Sequence, residues 1–164
     1  MVRVTHPESE LVRRTVMLRQ MDFPPEVSLT KSAQLRWLCL SLGLLSENES
    51  RDTVLSIADG LFTFLLAKKS TPSTADLAAW LKTHGTKPVS EKLLRYHLHR
   101  FIEVGLIVRK NQAYHFNQSP TGARHDLADA FYHGVEKPTL ETLQQIGRVC
   151  EQLAPHFSRK GKND

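Results

Sequence analysis

Apolar residues return along most of this chain at the spacing of helices and in one short stretch at the spacing of strands. From Arg51 to Lys69, Val54, Ile57, Ala58, Leu61, Phe62 and Leu65 fall on one face at steps of three and four, which predicts an amphipathic helix despite Gly60. Ser70, Thr71 and Pro72 end it, and Ser73 or Thr74 caps a second helix whose apolar face is Leu77, Trp80 and Leu81, with Gly85 just past its end. Asp76 sits in its first turn, where a carboxylate meets the positive end of the helix dipole. Ser90 is the expected cap of a third helix. At about 100° per residue, Leu94, Leu98, Phe101 and Ile102 cluster on one side of it, Lys92, Tyr96, His99, Arg100 and Glu103 lie opposite, and Arg95 is on the flank. Gly105 supplies a helix terminus, and Leu106 to Val108 and Tyr114 to Phe116 predict two strands joined through Asn111 and Gln112, although the favoured Asn-Gly turn pair is absent.

The flanks also read as helical. Thr5 and Glu8 stand at capping-box spacing with Pro7 between them, and Leu11, Met17, Leu18 and Met21 predict a helix stopped by Phe23, Pro24 and Pro25, with an extended connector to Thr30. From Lys31 to Leu45, Leu35, Trp37, Leu38, Leu40, Leu42, Leu44 and Leu45 cover nearly every side of a helix, so burial is expected on several faces, in the core or against a second subunit. A polar patch from Ser46 to Ser50 follows. Beyond the strands, Ser119, Pro120 and Thr121 are expected to open a helix holding Leu127, Ala130, Phe131 and Tyr132 and breaking near Gly134. A last helix from about Thr139 carries Leu140, Leu143, Gly147, Cys150, Ala154 and Phe157 in a heptad-like seam cut at Pro155. These elements divide the chain into an N-terminal helical extension over 1–50, a helix-and-hairpin unit over 51–118, a C-terminal helical extension over 119–157, and a basic tail over 158–164 expected to be disordered.

Charge sharpens this division. The 22 Lys and Arg against 17 Asp and Glu give +5 overall, which suits a polyanion partner but does not single one out. Location does more. Residues 86–110 carry Lys87, Lys92, Arg95, Arg100, Arg109 and Lys110 against Glu91 and Glu103, a local +4, while residues 111–154 carry three basic against five acidic groups, a local −2. The excess positive charge therefore sits on the third helix and the hairpin.

The order helix, helix, helix, hairpin over Arg51 to Asn117 resembles the winged helix-turn-helix superfamily of prokaryotic regulators, including the MarR, ArsR and PadR groups; it covers about 67 of the 164 residues. Ser90 matches the cap before the recognition helix. Leu94, Leu98 and Phe101 match its inward face, and Gly105, Leu106 and Ile107 the entry to the first wing strand. The resemblance implies a mainly α fold, a winged helix-turn-helix of three helices and a two-stranded wing with flanking N- and C-terminal helices. It further implies a cytoplasmic transcriptional regulator that binds double-stranded DNA as a homodimer through those flanking helices. Lys92, Arg95, Tyr96, His99 and Arg100 would then face the major groove, Arg109, Lys110, Asn111 and Gln112 would approach the backbone or minor groove, and Lys87 and Ser90 at the helix entry complete the DNA-binding set. The wing is short and lacks a long basic tip, a departure from that pattern. A winged helix can also dock protein alone, so an adaptor subunit that does not touch DNA is the alternative.

Other chemistries find less in the sequence. Among eight histidines, His97 and His99 point in different directions on a helix, no thiolate pair or His-Glu-x-x-His pattern occurs, and no metal or other cofactor is expected; His97 reads as a packed core residue. No phosphate-binding glycine loop, nucleophile elbow or paired carboxylates argue for an enzyme. No stretch reaches the ~18 consecutive apolar residues of a membrane span, and Arg3, Glu8 and Glu10 stand where a signal peptide would be apolar, so a cytoplasmic protein is expected. Cys39 and Cys150 lie in apolar helical patterns and are expected as buried reduced thiols.

Overall fold

The computed structural model of the protein describes residues 8–46 and 51–158. Thr5 and Pro7 of the expected N-terminal capping signal, residues 47–50 of the polar patch and residues 159–164 of the tail lie outside them. The chain is mainly helical with one two-stranded antiparallel sheet. In order come α1 (Lys31–Ser41), α2 (Arg51–Phe62), α3 (Thr74–His84), α4 (Glu91–Val104), β1 (Ile107–Lys110), β2 (Ala113–Phe116), α5 (Leu127–Phe131) and α6 (Lys137–Ser158). No helix among the described residues is long and apolar enough to cross a membrane.

The central unit follows the apolar spacing. Val54, Ile57, Ala58 and Leu61 of α2, Leu77 and Leu81 of α3, and Leu94, Leu98 and Phe101 of α4 are buried in one core, which the hairpin closes with Ile107, Tyr114 and Phe116. Burying each such side chain contributes roughly 1.5–3 kcal/mol. Gly60 of α2 serves this packing, because a Cβ there would come within 2.7 Å of the Trp80 indole of α3. The Ser73 hydroxyl accepts from the Asp76 amide at 3.1 Å and the Asp76 carboxylate from the Ser73 amide at 2.8 Å, a complete capping box that holds the Asp76 carboxyl below its usual range. Ser90 caps α4 in the same way, accepting from the Leu93 amide at 3.2 Å. At the other end of α4, Gly105 takes a left-handed conformation with φ 97°, which lets the chain turn directly into β1.

The hairpin runs in register from Ile107 opposite Phe116 to Lys110 opposite Ala113, leaving Asn111 and Gln112 as a two-residue loop. Their φ values of 51° and 63° are those of a type I′ turn, whose twist matches the strands even without a glycine. The segment before α3 adds to the edge of this sheet, with the Tyr114 amide donating to the Pro72 carbonyl at 2.8 Å. Tyr114 and Thr74 hydroxyls meet at 3.1 Å in the interior, so the hairpin is fastened to the start of α3.

Besides a tight helical turn at Pro25–Leu29 where an extended connector is expected, and an α1 that ends at Ser41 short of Leu45, the flanks depart from the expectations in four places. The helix expected over Leu11, Met17, Leu18 and Met21 is a single tight turn, Glu8–Leu11, followed by an irregular strap over 12–24. The strap's hydrogen bonds leave it instead of closing within it. Arg19 donates from one guanidinium nitrogen to the carbonyls of Leu40 and Leu45, both at 2.7 Å, and its amide donates to Ser41. Arg14 reaches Gly134 at 3.1 Å. An extended chain covers about 3.3 Å per residue against about 1.5 Å in a helix, and extension lets one segment serve anchors on two elements. The strap covers part of the all-round apolar α1: Trp37 donates to the Asp22 carbonyl at 2.8 Å and meets the Phe23 ring edge-on at 5.2 Å, while Cys39 is buried and Leu35, Trp37, Leu38 and Leu40 are half-buried.

The second departure concerns the helix expected to open at Ser119, which starts at Leu127, capped by Asp126. Ser119 and Gly122 instead form a turn tied to the Asp129 carboxylate, with the Ser119 hydroxyl donating at 3.0 Å. Third, Gly134 does not break the helix: α5 passes through a wider turn at Tyr132–Glu136 straight into α6, and Pro155 lies inside α6, which continues to Ser158. Proline removes one amide donor, a small loss so near a solvated helix end. Finally, Cys39 is buried, which pushes its thiol up to about 12, but Cys150 is exposed, because no described residue covers the stretch of α6 on which it lies.

Gly60→Ala and Gly134→Ala should each lower stability by about 1–3 kcal/mol in urea unfolding, because the added methyl meets the Trp80 ring or the Gly105 backbone. Ser73→Ala should cost about 1 kcal/mol at neutral pH. Since the Asp76 carboxyl is depressed in the folded state, its contribution is present above the unfolded value and lost as pH falls through the folded one. The difference between Ser73→Ala and the parent should therefore shrink when unfolding is repeated in acid.

Candidate nucleic-acid interface

The helix α4 turns its buried side, Leu94, His97, Leu98, Phe101 and Val104, into the core. Its spacing then sends Lys92, Arg95, Tyr96 and His99 to solvent on the opposite side, where all four are exposed. Tyr96 stands 57% exposed with its ring edge-on to His97 at 5.2 Å. Lys87 is exposed in the connection before α4, and Ser90 is engaged in capping the helix.

The charges on this face are partly paired along the helix. Arg95 donates twice to one oxygen of Glu91, at 3.0 and 2.7 Å, and His99 lies 3.3 Å from Glu103. Both are four-residue spacings between exposed groups, so each pair contributes only about 0.3–0.5 kcal/mol and opens readily when a stronger partner arrives. Lys92 makes no ion pair with a described carboxylate. The spacing that pairs Glu91 with Arg95 is visible in the sequence, and a sum of charges over the segment overlooked it.

Arg100 goes elsewhere. It is half-buried, and although it follows Tyr96 by one turn of the helix its guanidinium donates to the Gly43 carbonyl just beyond α1. With Arg19 on the Leu40 and Leu45 carbonyls, it satisfies the electronegative C-terminal end of α1. The 57 residues between Arg100 and Gly43 leave no local signal for this contact in the sequence.

The hairpin brings the other four candidates together. Arg109, Lys110, Asn111 and Gln112 are exposed in sequence around the turn, and the Arg109 guanidinium lies 5.7 Å from the centre of the Tyr114 ring, which steadies it without neutralising it. Neither Arg109 nor Lys110 pairs with a described carboxylate, so the unbalanced positive charge is strongest at the hairpin tip and Lys92.

No family model, curated protein or solved structure matches the chain. The site's own chemistry is therefore the guide: cations and an exposed tyrosine on a rigid helix, beside a short cationic hairpin, suit a polyanionic or acidic surface. Among the described residues, no three His, Cys, Asp or Glu side chains gather to hold a metal ion.

Arg100→Ala should lower the thermal midpoint and the unfolding free energy by about 1–3 kcal/mol, since it strips a charged donor from a partly buried carbonyl. Lys92→Ala, on the open face, should stay within about 0.5 kcal/mol of the parent in the same scan.

Proposed function

We propose that this protein is a winged helix-turn-helix transcriptional regulator that binds duplex DNA as a homodimer in the cytoplasm. The observation that carries the reading is the exposed set Lys92, Arg95, Tyr96 and His99 on one side of α4, followed in the chain by a type I′ hairpin tipped with Arg109 and Lys110. In this reading α4 enters the major groove, Arg95 exchanges Glu91 for a base edge or phosphate, and the hairpin lies on the adjoining backbone. Arg100 belongs to the scaffold that holds α4, and no catalytic role is assigned.

The homodimer is supported by α6. Its 22 residues extend about 33 Å. Leu140, Leu143, Ile146, Val149, Leu153 and Phe157 are each between 48% and 73% exposed along it, a stripe that water disfavours and a second copy would cover. The twofold axis would present two α4 helices to half-sites about 34 Å apart.

A second reading is favoured by Glu91 paired with Arg95 and Glu103 beside His99, two carboxylates that reduce the positive charge presented by the outer face of α4. Such a face suits docking to a protein, as in a winged-helix adaptor.

Fluorescence anisotropy with random duplex DNA separates the two. The regulator predicts binding whose logarithmic salt slope is about −0.9 per contacted phosphate. A Lys92→Ala/Arg95→Ala/Arg109→Ala/Lys110→Ala variant should lose it, and Glu91→Gln should tighten it by freeing Arg95. Absence of binding at low salt would replace the regulator with the adaptor. For the homodimer, Leu143→Asp/Ile146→Asp should convert a dimer to a folded monomer in sedimentation; a parent already monomeric at high concentration would overturn that part.

A further inference from the structure

The N-terminal strap does not lie flat on the molecule. Between it, the end of α1 and the last turns of α4 is a cleft of about 520 Å³, within the ordinary size range of small-molecule sites. It has two kinds of wall. Arg13 and Arg14 of the strap and Arg100 of α4 supply guanidinium groups, opposed among the lining residues by the single carboxylate of Glu103. Leu42, Leu44 and Val104 form a buried apolar floor. Val12 and Met17 flank that floor from the strap and remain 64% and 58% exposed, although they are apolar.

The arginines are incompletely used. A guanidinium carries five N–H donors. Arg14 donates to the Gly134 carbonyl and Arg100 to the Gly43 carbonyl, both uncharged acceptors, and Arg13 makes no hydrogen bond to a described residue. Glu103 is turned to His99, 3.3 Å away. The cleft thus concentrates positive charge and spare planar donors above an apolar floor, and an anion with an apolar body would answer both features. Guanidinium and carboxylate match as two-pronged partners, and partial removal from water strengthens the bond.

We propose that this cleft is a binding site for an amphipathic organic carboxylate, whose charged end is taken by Arg13 and Arg100 and whose apolar body lies on Leu42, Leu44 and Val104 beneath Val12 and Met17. The site is independent of the exposed face of α4 and of whether that face meets DNA or protein. Arg100, Glu103 and Val104 all belong to α4, so the ligand would touch that helix at its last two turns.

The test uses the full chain labelled with ¹⁵N and titrated with octanoate, octan-1-ol and inorganic phosphate. Octanoate should shift the amide signals of Gly43, Leu44 and Val104 saturably, with octanol and phosphate each binding at least about tenfold more weakly because each supplies only half of the recognition. Arg13→Gln, which disturbs no described hydrogen bond, should weaken octanoate about tenfold, and Glu103→Gln should tighten it by removing the opposing charge. Unshifted Gly43 and Val104 signals at millimolar octanoate would overturn the proposal. So would octanol or phosphate binding as tightly as octanoate, or indifference to Arg13→Gln in a variant whose spectrum shows it folded.

Discussion

Two stretches of backbone cross at Gly105 and Gly134 with no room for a side chain between them, and the arrangement of the flanks depends on that crossing. A Cβ on either glycine would fall on the other's carbonyl. Carbonyls brought so close must each find a donor, since an unsatisfied buried acceptor costs about 1–3 kcal/mol. The donors come from widely separated parts of the chain: Asn117, just after β2, donates to Gly105 at 2.9 Å, and Arg14 of the strap donates to Gly134 at 3.1 Å. The crossing thereby joins the root of the hairpin, the exit of α4, the C-terminal helix and the N-terminal strap. It also accounts for the wide turn at Tyr132–Glu136, where the helix relaxes as it passes Gly105 and then continues as α6.

Arginine has two occupations in this protein. Arg14, Arg19 and Arg100 end on backbone carbonyls and hold separate elements together. Arg95 and Arg109 stay exposed, one paired with a neighbouring carboxylate and the other resting near a tyrosine ring. Within the first group Arg100 ties the platform of α4 to the end of α1, while Lys92 and Tyr96 on that helix remain exposed. The second supplies the cations that the platform presents. Charge near α4 therefore measures the binding potential of its outer face poorly until each guanidinium is assigned to one of these tasks, because a basic residue held by the scaffold is not presented on that face.

The central unit was legible because its signals are local. Ser73 and Ser90 were readable as caps, and the apolar steps from Leu94 to Phe101 fixed which side of α4 is buried. Gly105 marked the turn into β1, and the short spacing between Val108 and Tyr114 left space for a hairpin loop at Asn111 and Gln112. The flanks were less readable for a physical reason. Met17, Leu18 and Met21 have helical spacing, yet the strap's donors and acceptors find partners on α1 and at Gly134, and those long-range bonds outweigh a weak local preference. Gly134 resembles a helix breaker in sequence, and the close approach of Gly105 gives it a different use.

The sequence by itself determined the helices of the central unit, the caps before α3 and α4, and the hairpin with its turn, since these follow from side-chain periodicity and from hydrogen bonds spanning a few residues. It also determined that α6 would carry an apolar stripe. Only the tertiary structure decided that the strap is extended, that α5 and α6 run on through Gly134, and that Arg100 serves α1 while Lys92 and Tyr96 face outward. Each of those outcomes depends on groups far apart in the chain meeting across a packed interior, where satisfying a carbonyl or excluding a side chain overrides the preference that neighbouring residues express alone.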